Sequence, residues 1–269
     1  MIKLHAWSAK EFPAMSKAPD YVILGRGRWA QRMRPIISGE GKNVVSVEQT
    51  RQRPSESESV YVERLAAAMK ASRAQIAWLC VTPGPHVSSM IQAAIQAGLH
   101  VIVEKPWYGS SKQTQRLQSL ACAKGRVIAV HFEYLVLKEV EQWKADFHPG
   151  TGCSFGGRFF LSRSDRSGIP PIDNLGCHLL AIREYAVPAS AISEIRCDYE
   201  LPDERLVWID VGEQRLSSID LFTHGQPIIQ RFMKKVEAAL DGAAFPFDLE
   251  FAMRVAVELN AYNSRGPAK

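Results

Sequence analysis

The sequence predicts an α/β protein, in which a doubly wound parallel sheet is followed by an α+β domain built on a mostly antiparallel open sheet. Up to residue 131, short apolar runs alternate with helical patterns, an arrangement that is typical of a parallel sheet. Beyond that point, strand-like segments follow one another with few helices between them. We therefore expect a first domain over residues 1–131 and a second over residues 132–269.

The elements of the first domain are recognised by hydrophobic pattern and by the glycines that end them. A run without alternation, such as Val101–Val103, is typical of a strand covered on both faces. Apolar residues from Val87 to Ile95 repeat at helical spacing, and Gly98 is expected to end that helix. The predicted strands are 21–24, 43–48, 76–81, 101–103 and 127–130, with helices after the first strand, near 60–72, from 87 to 98 and from 110 to 125.

Two local signals refine these helices. Ser110 and Gln113 have the spacing of a capping box, which predicts where the last helix of the domain begins. Pro35 falls inside the first helix and is expected to kink or shorten it.

In the second domain the predicted strands are 158–162, 195–199, 206–211 and 216–222, with one helix around 175–185, another over 229–240 and a last one from near 248.

Composition and charge narrow the class of partner. The chain is 46% hydrophobic and carries 33 basic against 28 acidic residues, which leaves a net charge of +5. These charges are scattered, apart from four arginines beside a glycine-rich loop, Arg26, Arg28, Arg32 and Arg34. A local site for a small anion is therefore favoured over a nucleic-acid surface.

Cysteine usage and hydropathy predict the compartment. The five cysteines are an odd number without metal-like spacing, so we expect reduced thiols, no metal site and a cytoplasmic protein. The first twenty residues interleave charged and apolar side chains, which does not fit a signal peptide. No later apolar run approaches membrane-spanning length, so we expect no membrane partner.

The glycine-rich loop is the first chemical motif. The spacing Gly25-x-Gly27-x-x-Ala30 follows a strand directly and opens a helix, which is the context of a dinucleotide fingerprint. Gly25 allows the tight turn, Gly27 lets the backbone approach a pyrophosphate, and Ala30 keeps helix and strand close. The helix N-terminus then offers its free N–H groups to the phosphates. The alternative is an ordinary glycine-rich turn.

The end of the second strand bears on cofactor choice. Glu48 stands 23 residues after Gly25, where an acid accepts hydrogen bonds from the adenosine ribose, and Gln49 follows it. This position favours NAD. An arginine near the ribose accommodates the 2′-phosphate of NADP instead, and the arginines available are Arg51, Arg53, Arg26 and Arg28. These arginines are equally compatible with a solvated face, so the choice between NAD and NADP stays open.

A charged pair, Glu104-Lys105, comes before Pro106 at the carboxyl end of the buried Val101–Val103 strand. Open α/β sheets bind ligands at this end of their strands. Burying an ammonium is costly unless it is paired or used, so Lys105 is a candidate functional residue. The alternative is that Lys105 only pairs with Glu104 at a solvated strand end.

The chain resembles the Gfo/Idh/MocA oxidoreductases, named for glucose-fructose oxidoreductase and inositol dehydrogenase. The resemblance rests on four segments: 25–30, 81–86 with the helix that follows, 100–106 with its Glu-Lys-Pro, and 174–178. It implies an N-terminal Rossmann domain, a C-terminal open-sheet domain and NAD(P)-linked redox chemistry, often on sugars or polyols. It also implies a homodimer or tetramer.

The resemblance further implies roles for individual residues. Lys105 matches the lysine that contacts the substrate hydroxyl and the nicotinamide region, and His178 matches the general acid/base. The alternative for His178 is a core histidine on an apolar helix. Together with the loop analysis, the expected cofactor-binding residues are Gly25, Gly27, Arg28, Trp29, Ala30, Glu48, Gln49, Arg51, Thr82, Pro83, His86, Glu104 and Lys105.

The sequence departs from the family pattern around the acid/base. Relatives commonly carry an aspartate four residues before the histidine, but this chain has Asn174 there and Asp173 one place earlier. An amide cannot take a proton, so we expect His178 to be less basic than in relatives. Relatives often have a second aspartate three residues after the histidine, where this chain has Ala181. The candidate catalytic set is Lys105, His178, Asn174 and Asp173.

Three functions fit these observations. The first is an NAD(P)-dependent oxidoreductase acting on a sugar, polyol or related carbonyl substrate. The second is a reductase of an imine or a pigment double bond, which needs hydride delivery but no strong base, and Asn174 favours it. The third is a non-catalytic dinucleotide- or sugar-sensing protein. Residues that are candidates for the substrate pocket are His131, Glu133, Tyr134, Arg158, Arg163, Asp165 and Arg166.

Overall fold

The computed structural model describes residues 20–148, 152–162, 168–212, 214–221, 225–243 and 245–265. Its first sheet has five parallel strands in the order β2-β1-β3-β4-β5, which confirms the predicted parallel sheet. The strands are β1 (Tyr21–Leu24), β2 (Val44–Val47), β3 (Ile76–Leu79), β4 (His100–Val103) and β5 (Ile128–Val130). The connecting helices are α1 (Arg28–Gly39), α2 (Glu58–Ala71), α3 (Val87–Gln96) and α4 (Ser111–Ala123).

The three central strands β1, β3 and β4 are buried at every residue, as their apolar runs predict for a sheet covered on both faces. Three helix ends also follow from sequence. Ser110 and Gln113 form both hydrogen bonds of a capping box at the start of α4. Gly98 after α3 and Gly125 after α4 adopt φ of +83° and +62°, which favours glycine at these ends.

Helix α1 does not end at Pro35, contrary to the expectation that the proline would shorten it. The helix runs on for four residues to Gly39. Pro35 removes one backbone N–H, whose acceptor would be the carbonyl of Gln31, and both residues lie on the exposed face of the helix. Water can satisfy a carbonyl on that face, while Ile36 and Ile37 on the opposite side are buried.

The second sheet has four strands in the order β7-β6-β8-β9. They are β6 (Cys153–Phe160), β7 (Ala191–Asp198), β8 (Glu204–Val211) and β9 (Gln214–Asp220), and the predicted extension of the last strand to residue 222 lies outside the described residues. Pairings β6–β8 and β8–β9 are antiparallel, as expected, while β6–β7 is parallel. The sheet is mixed because a helical crossover separates β6 from β7.

Helices fill the rest of the second half of the chain. A 3₁₀ turn (Glu133–Val136) and α5 (Lys138–Asp146) follow β5, and a π-helical turn (Ile172–Gly176) leads into α6 (Cys177–Ala186). The chain closes with α7 (Gly225–Leu240) and α8 (Leu249–Arg265). Within the described ranges, no helix combines the length and apolar character needed to cross a membrane. Residues 1–19, which bear on the signal-peptide expectation, lie outside those ranges.

The C-terminal segment returns to the first sheet. The Val130 N–H at the end of β5 donates to the Phe247 carbonyl at 2.7 Å, and the Tyr21 hydroxyl of β1 donates to Glu237 of α7 at 2.8 Å. Phe232 of α7 packs its ring against Trp78 of β3, with the centroids 6.4 Å apart. The parallel sheet is therefore covered partly by residues far along the chain, and the boundary at 131/132 stays a prediction.

Candidate active site

The glycine-rich loop joins β1 to α1 in the geometry that a dinucleotide needs. Gly25 has φ +123°, and a Cβ built there would lie 2.3 Å from the Cys80 carbonyl oxygen. Its N–H donates to the Val47 carbonyl at 3.1 Å, which fixes the turn between two neighbouring strands. No other residue than glycine fits this position without moving the backbone.

Gly27 caps α1, and its surroundings are open. A Cβ at Gly27 would meet no atom within 4 Å, and no side chain caps the helix. The first N–H groups of α1 therefore remain available to an anion. Ala30, one turn further, is fully buried against the strand, as the fingerprint spacing predicts, and Arg28 is exposed.

A cavity of about 780 Å³ opens beside this loop. Seven of the residues expected to bind the cofactor line it: Gly25, Gly27, Glu48, Gln49, Arg51, Thr82 and His86. Burial lowers the pKa of His86, which favours its neutral form at the cavity wall. The other six, Arg28, Trp29, Ala30, Pro83, Glu104 and Lys105, are not among its lining residues.

The outer wall of the cavity is a loop braced by Arg64 of α2. The Arg64 guanidinium donates to both carboxylate oxygens of Glu56 and to the carbonyls of Gln49 and Arg51, the last two at 3.0 Å. The hydrogen bond from Arg64 lowers the pKa of Glu56 to about 2. The loop is thus tied into one conformation although it is polar and exposed.

Charge at the cavity rim is predominantly positive. The carboxylate of Glu48 accepts from Arg34 at 3.3 Å, and its side chain is 58% exposed. Arg26, Arg51 and Arg53 also line the cavity and are exposed. Glu48, the acid whose position favours NAD, is therefore already paired with Arg34. The three arginines that line the cavity can pair with a bound anion.

Glu104 is held on the inner side of the site by three donors. Its carboxylate accepts from the indole N–H of Trp29 at 2.6 Å and of Trp78 at 2.9 Å, and lies 3.3 Å from His131 Nδ1. Burial raises the pKa of Glu104, but the charge and hydrogen bond of His131 outweigh it and lower the pKa overall. Glu104 is thus a buried, ionised anchor that links the glycine loop to β3, β4 and β5.

Lys105 does not use Glu104 as its partner. Its Nζ donates to the backbone carbonyl of Asn174 at 2.7 Å and to its side-chain Oδ1 at 2.8 Å. The Asn174 amide in turn donates to the Tyr199 hydroxyl at 2.9 Å. The π-helical turn before α6 thereby brings the carbonyl and the amide of one residue to the same ammonium group.

His178 is the second residue of α6 and is 5% exposed. Its ring meets the rings of Tyr134 and Phe132 edge-on, with centroids 4.9 and 6.4 Å away, and its Nδ1 lies 3.9 Å from Glu133 Oε2. Burial first, then the positive charges of Lys105 and Arg205, lower the pKa of His178 well below its ordinary value. His178 is therefore neutral at pH 7, in the direction expected from the loss of the aspartate.

Asp173 and the remaining candidates have other partners. The Asp173 carboxylate accepts from the Asn263 amide at 2.9 Å and from the Tyr108 hydroxyl at 3.4 Å. Arg158 forms a bidentate pair with Glu194 at 2.8 Å, and Arg163, Asp165 and Arg166 lie outside the described residues. The described part of the chain holds no group of three ligating side chains suited to a metal ion.

Sequence reasoning missed several residues of this site. Trp78 and Tyr199 hold Glu104 and Asn174 by hydrogen bonds, and Arg64 braces the cavity loop. None carries a local motif, because each contacts its partner across a large separation along the chain. For Arg64 a weak signal exists: it is a single arginine that follows a polar, proline-containing loop.

The parallel sheet and the glycine-rich loop have the arrangement of a dinucleotide-binding Rossmann domain. In agreement, residues 20–132 match the model of the GFO_IDH_MocA family, described as an oxidoreductase family with an NAD-binding Rossmann fold. Residues 20–132 are therefore similar to the Gfo/Idh/MocA oxidoreductases, the family that the motifs at 25–30 and 100–106 resemble.

One curated relative is biliverdin reductase A of Mus musculus, which is 33% identical over 82 residues. The match covers 30% of this chain and 28% of the mouse protein, so it spans less than a third of either. The likeness is therefore confined to part of each chain.

Solved structures resemble the chain over most of its length. The WlbA dehydrogenase of Thermus thermophilus, in complex with NAD and UDP-GlcNAcA, has a TM-score of 0.69 at 13% identity and covers 94% of this chain and 96% of its own. KijD10, a 3-ketoreductase of Actinomadura kijaniata in complex with NADP, has a TM-score of 0.66 at 15% identity and covers 92% and 97%. At such identities these likenesses show the two-domain fold.

Proposed function

We propose that this protein is an NAD(P)-dependent oxidoreductase that transfers a hydride between the nicotinamide and a sugar, polyol or related carbonyl substrate. The observation that carries the proposal is the position of Lys105. Its ammonium group, held by Asn174 at the carboxyl end of β4, is close enough to His178 for its charge to lower the pKa of that histidine. A positive charge held in place by Asn174 thus acts on a buried, neutral imidazole.

The residues of the loop fit a dinucleotide. Gly25 and Gly27 leave the backbone bare where a pyrophosphate would approach, and the uncapped N-terminus of α1 offers N–H groups. Gln49, Arg51, Thr82 and His86 line the adjacent cavity. When bound, the cofactor supplies the nicotinamide carbon that gives or takes the hydride.

Lys105 and His178 would divide the remaining work. The Lys105 ammonium donates a hydrogen bond to the substrate oxygen and stabilises negative charge that develops there. The neutral imidazole of His178 accepts the proton of a substrate hydroxyl during oxidation and returns it during reduction. A histidine suits both directions because its pKa can be brought close to neutrality in the complex.

The rim of the cavity favours NADP(H) over NAD(H). Arg34 already pairs with the Glu48 carboxylate, which reduces its capacity to bind ribose hydroxyls. Arg26, Arg51 and Arg53 surround the same cavity and suit a 2′-phosphate. Two of the similar structures were solved with different cofactors, NAD in WlbA and NADP in KijD10, so the fold accommodates both.

A second candidate is the reduction of an imine or a conjugated double bond. The likeness to mouse biliverdin reductase A favours it, and so does Asn174, which leaves His178 without the aspartate that would raise its pKa. Such a substrate takes up the hydride at carbon and needs only a weak proton donor. The sugar proposal is supported by WlbA, a dehydrogenase in complex with UDP-GlcNAcA, and by KijD10, a 3-ketoreductase.

A substrate screen with two variants tests the proposal and separates the candidates. Nucleotide sugars, keto sugars, polyols, cyclic imines and linear tetrapyrroles are assayed by the change in nicotinamide absorbance. For a carbonyl substrate we expect His178→Gln to lower kcat about 10²- to 10⁴-fold, the range for loss of a general acid/base. Unchanged turnover in His178→Gln favours the double-bond reductase, and unchanged turnover in Lys105→Met contradicts both candidates.

The remaining expectations on assembly and compartment belong to the same proposal. The chain is proposed to act as a homodimer or tetramer, as the resemblance implies, and to function in the cytoplasm. The five cysteines are free thiols in the structure, which agrees with a reducing compartment.

A further inference from the structure

A row of alternating carboxylates and imidazoles runs from Glu104, after β4, to His178 in α6. Glu104, already bonded to Trp29 and Trp78, lies 3.3 Å from His131 Nδ1. The opposite nitrogen of His131, Nε2, lies 3.9 Å from Glu133 Oε2. The same Glu133 oxygen lies 3.9 Å from His178 Nδ1, so one carboxylate faces two imidazoles.

The three atoms that meet at Glu133 are buried and unpaired. His131 Nε2, Glu133 Oε2 and His178 Nδ1 each lack a hydrogen-bond partner among the described residues. A buried polar atom without a partner destabilises the fold, and such atoms are rare outside functional sites. Catalytic hydrogen bonds are often long in the free enzyme and shorten in the substrate complex, so 3.9 Å contacts between these groups indicate a network poised to tighten.

The surroundings define the charges of this row. His131 is 1% exposed and enclosed by the rings of Trp29, Trp78 and Phe232, with centroids 5.7, 5.1 and 4.7 Å away. Burial lowers the pKa of His131, but Glu104 and Glu133 outweigh it and raise the pKa overall. His131 is thus the positive link between two carboxylates.

Several charged or titratable groups act on His178 from the elements around it. Lys105 after β4, Arg205 of β8 and His131 after β5 each lower its pKa by their positive charge. Cys177 precedes it in α6, and the Tyr134 ring lies against it. Glu133 is the carboxylate placed to oppose those three positive charges at the Nδ1 side.

We propose that Glu133 is the positioning residue of His178 and does the work of the aspartate that Asn174 replaces. This inference rests on the proposed function of His178 as acid/base. The Nδ1–H of His178 donates to Glu133, which leaves Nε2 as the nitrogen that exchanges the proton with substrate. His131 holds the other side of the same carboxylate, and Glu104 holds His131.

The resulting step is balanced. In the oxidation direction the substrate O–H bond breaks and its proton passes to His178 Nε2. The carbon that bears this oxygen loses a hydride to the nicotinamide, and the carbonyl forms. The imidazolium that results is stabilised by the Glu133 carboxylate. Asn174 does not position His178 in this arrangement. Its backbone carbonyl and side-chain amide oxygens instead accept hydrogen bonds from the Lys105 ammonium.

Histidine NMR on the full-length protein tests the inference without a known substrate. The imidazole nitrogen signals of His178, assigned with His178→Gln, are recorded at pH 7 in wild type, Glu133→Gln, Glu133→Asp and Glu139→Gln, each with and without NADPH. Glu139 is an exposed residue nearby and serves as the matched control. We expect the wild-type signals to show the proton on Nδ1, facing Glu133, and we expect Glu133→Gln to lose this preference, while Glu133→Asp retains part of it and Glu139→Gln changes nothing.

Turnover adds a second readout once a substrate is found. We expect Glu133→Gln to lower kcat about 10- to 100-fold, as for other residues that orient a functional imidazole, with the KM for NADPH unchanged. A His178 signal that is identical in wild type and Glu133→Gln overturns the inference. A kcat that falls in His178→Gln but not in Glu133→Gln also overturns it and leaves the proposed function standing, whereas unchanged kcat in His178→Gln overturns the proposed function itself.

Discussion

Gly25 and Gly27 stand two residues apart, yet they constrain the chain in different ways. A Cβ at Gly25 would lie 2.3 Å from the Cys80 carbonyl oxygen, and its φ of +123° disfavours any side chain. Gly25→Ala is therefore expected to destabilise the fold by about 1–3 kcal/mol, the cost of forcing a residue into such a conformation. Denaturant unfolding measures this change.

Gly27→Ala supplies the matched control. A Cβ there meets nothing within 4 Å, so we expect near-normal stability. The methyl group would nevertheless stand where a pyrophosphate approaches α1, so binding of NADPH should weaken. A stable Gly27→Ala protein with unchanged affinity for NADPH would show that the loop does not contact the cofactor.

The Glu104–His131 pair gives stability a defined dependence on pH. The pKa of His131 is raised in the folded protein above its ordinary value of 6.5. The stabilisation that protonated His131 contributes is complete below pH 6.5 and is lost as pH rises through its pKa in the folded protein. The free energy of unfolding then falls by no more than about 1.4 kcal/mol per pH unit for one proton. The pKa of Glu104 is lowered, so its contribution is present above its unfolded value and is lost on acidification.

Removing the carboxylate should flatten the alkaline slope. In Glu104→Gln, His131 loses the partner that raises its pKa most, so the unfolding free energy should change less between pH 6.5 and 8.5 than in wild type. The measurement is the denaturant midpoint at a series of pH values. Equal slopes in the two proteins would mean that His131 is not charged in the folded state.

Among the elements, those with a short-range cause were predictable from sequence. The five parallel strands, the capping box at Ser110 and the glycine ends of α3 and α4 each follow from residues adjacent in the chain. The parallel β6–β7 pairing, the 3₁₀ turn at Glu133 and helix α5 were not predicted. These depend on tertiary packing, which overrides weak local patterns.

The same distinction applies to the site residues: those with a short-range sequence signal were predictable, and those with distant partners were not. The spacing of Gly25 and Gly27 predicts the loop, because the whole fingerprint falls within residues 25–30. The hydrogen-bond partners of Glu104 lie 75 residues away in sequence at Trp29 and 26 away at Trp78. Such contacts cannot be predicted from the hydrophobic periodicity of the sequence. The resemblance pointed to Lys105 and His178, and their roles stay predictions.

The loop at the cavity rim depends on one side chain of α2. Arg64 joins Glu56 to the carbonyls of Gln49 and Arg51, so it orders a segment that would otherwise be free. Arg64→Ala should weaken NADPH binding about tenfold, because the loop must then be ordered on binding. Isothermal titration calorimetry measures the affinity, and Arg73→Ala, at a residue after the same helix, is the control. Equal affinities in wild type and Arg64→Ala would contradict this role.

At the scale of the whole molecule, the C-terminal helices join the two sheets into one unit. Phe232 of α7 is fully buried against Trp78 and His131, and the Phe247 carbonyl accepts from the Val130 N–H. On the other side, the Tyr262 hydroxyl of α8 donates to the Ile195 carbonyl of β7 at 2.8 Å. We therefore expect a single unfolding transition, with tryptophan fluorescence and far-UV circular dichroism changing together.

Phe232→Ala tests that coupling. Loss of a buried phenylalanine typically costs about 3–5 kcal/mol, and here the loss should lower the midpoint of both probes equally. Val257→Ala, at a side chain that is 62% exposed, should leave the midpoint unchanged. Two separate transitions in wild type would show that the domains unfold independently.

The most direct test of the central claim, that this chain binds a nicotinamide cofactor for hydride transfer, is a titration of the purified protein with NADPH and with NADH. Nicotinamide fluorescence and quenching of tryptophan emission report binding, since Trp29 lies in the first turn of α1, next to the glycine loop. We expect both cofactors to bind and NADPH to bind more tightly, because Arg26, Arg51 and Arg53 line the cavity. Tighter binding of NADH would reverse the cofactor preference, and failure of both to bind would contradict the oxidoreductase function of Lys105 and His178.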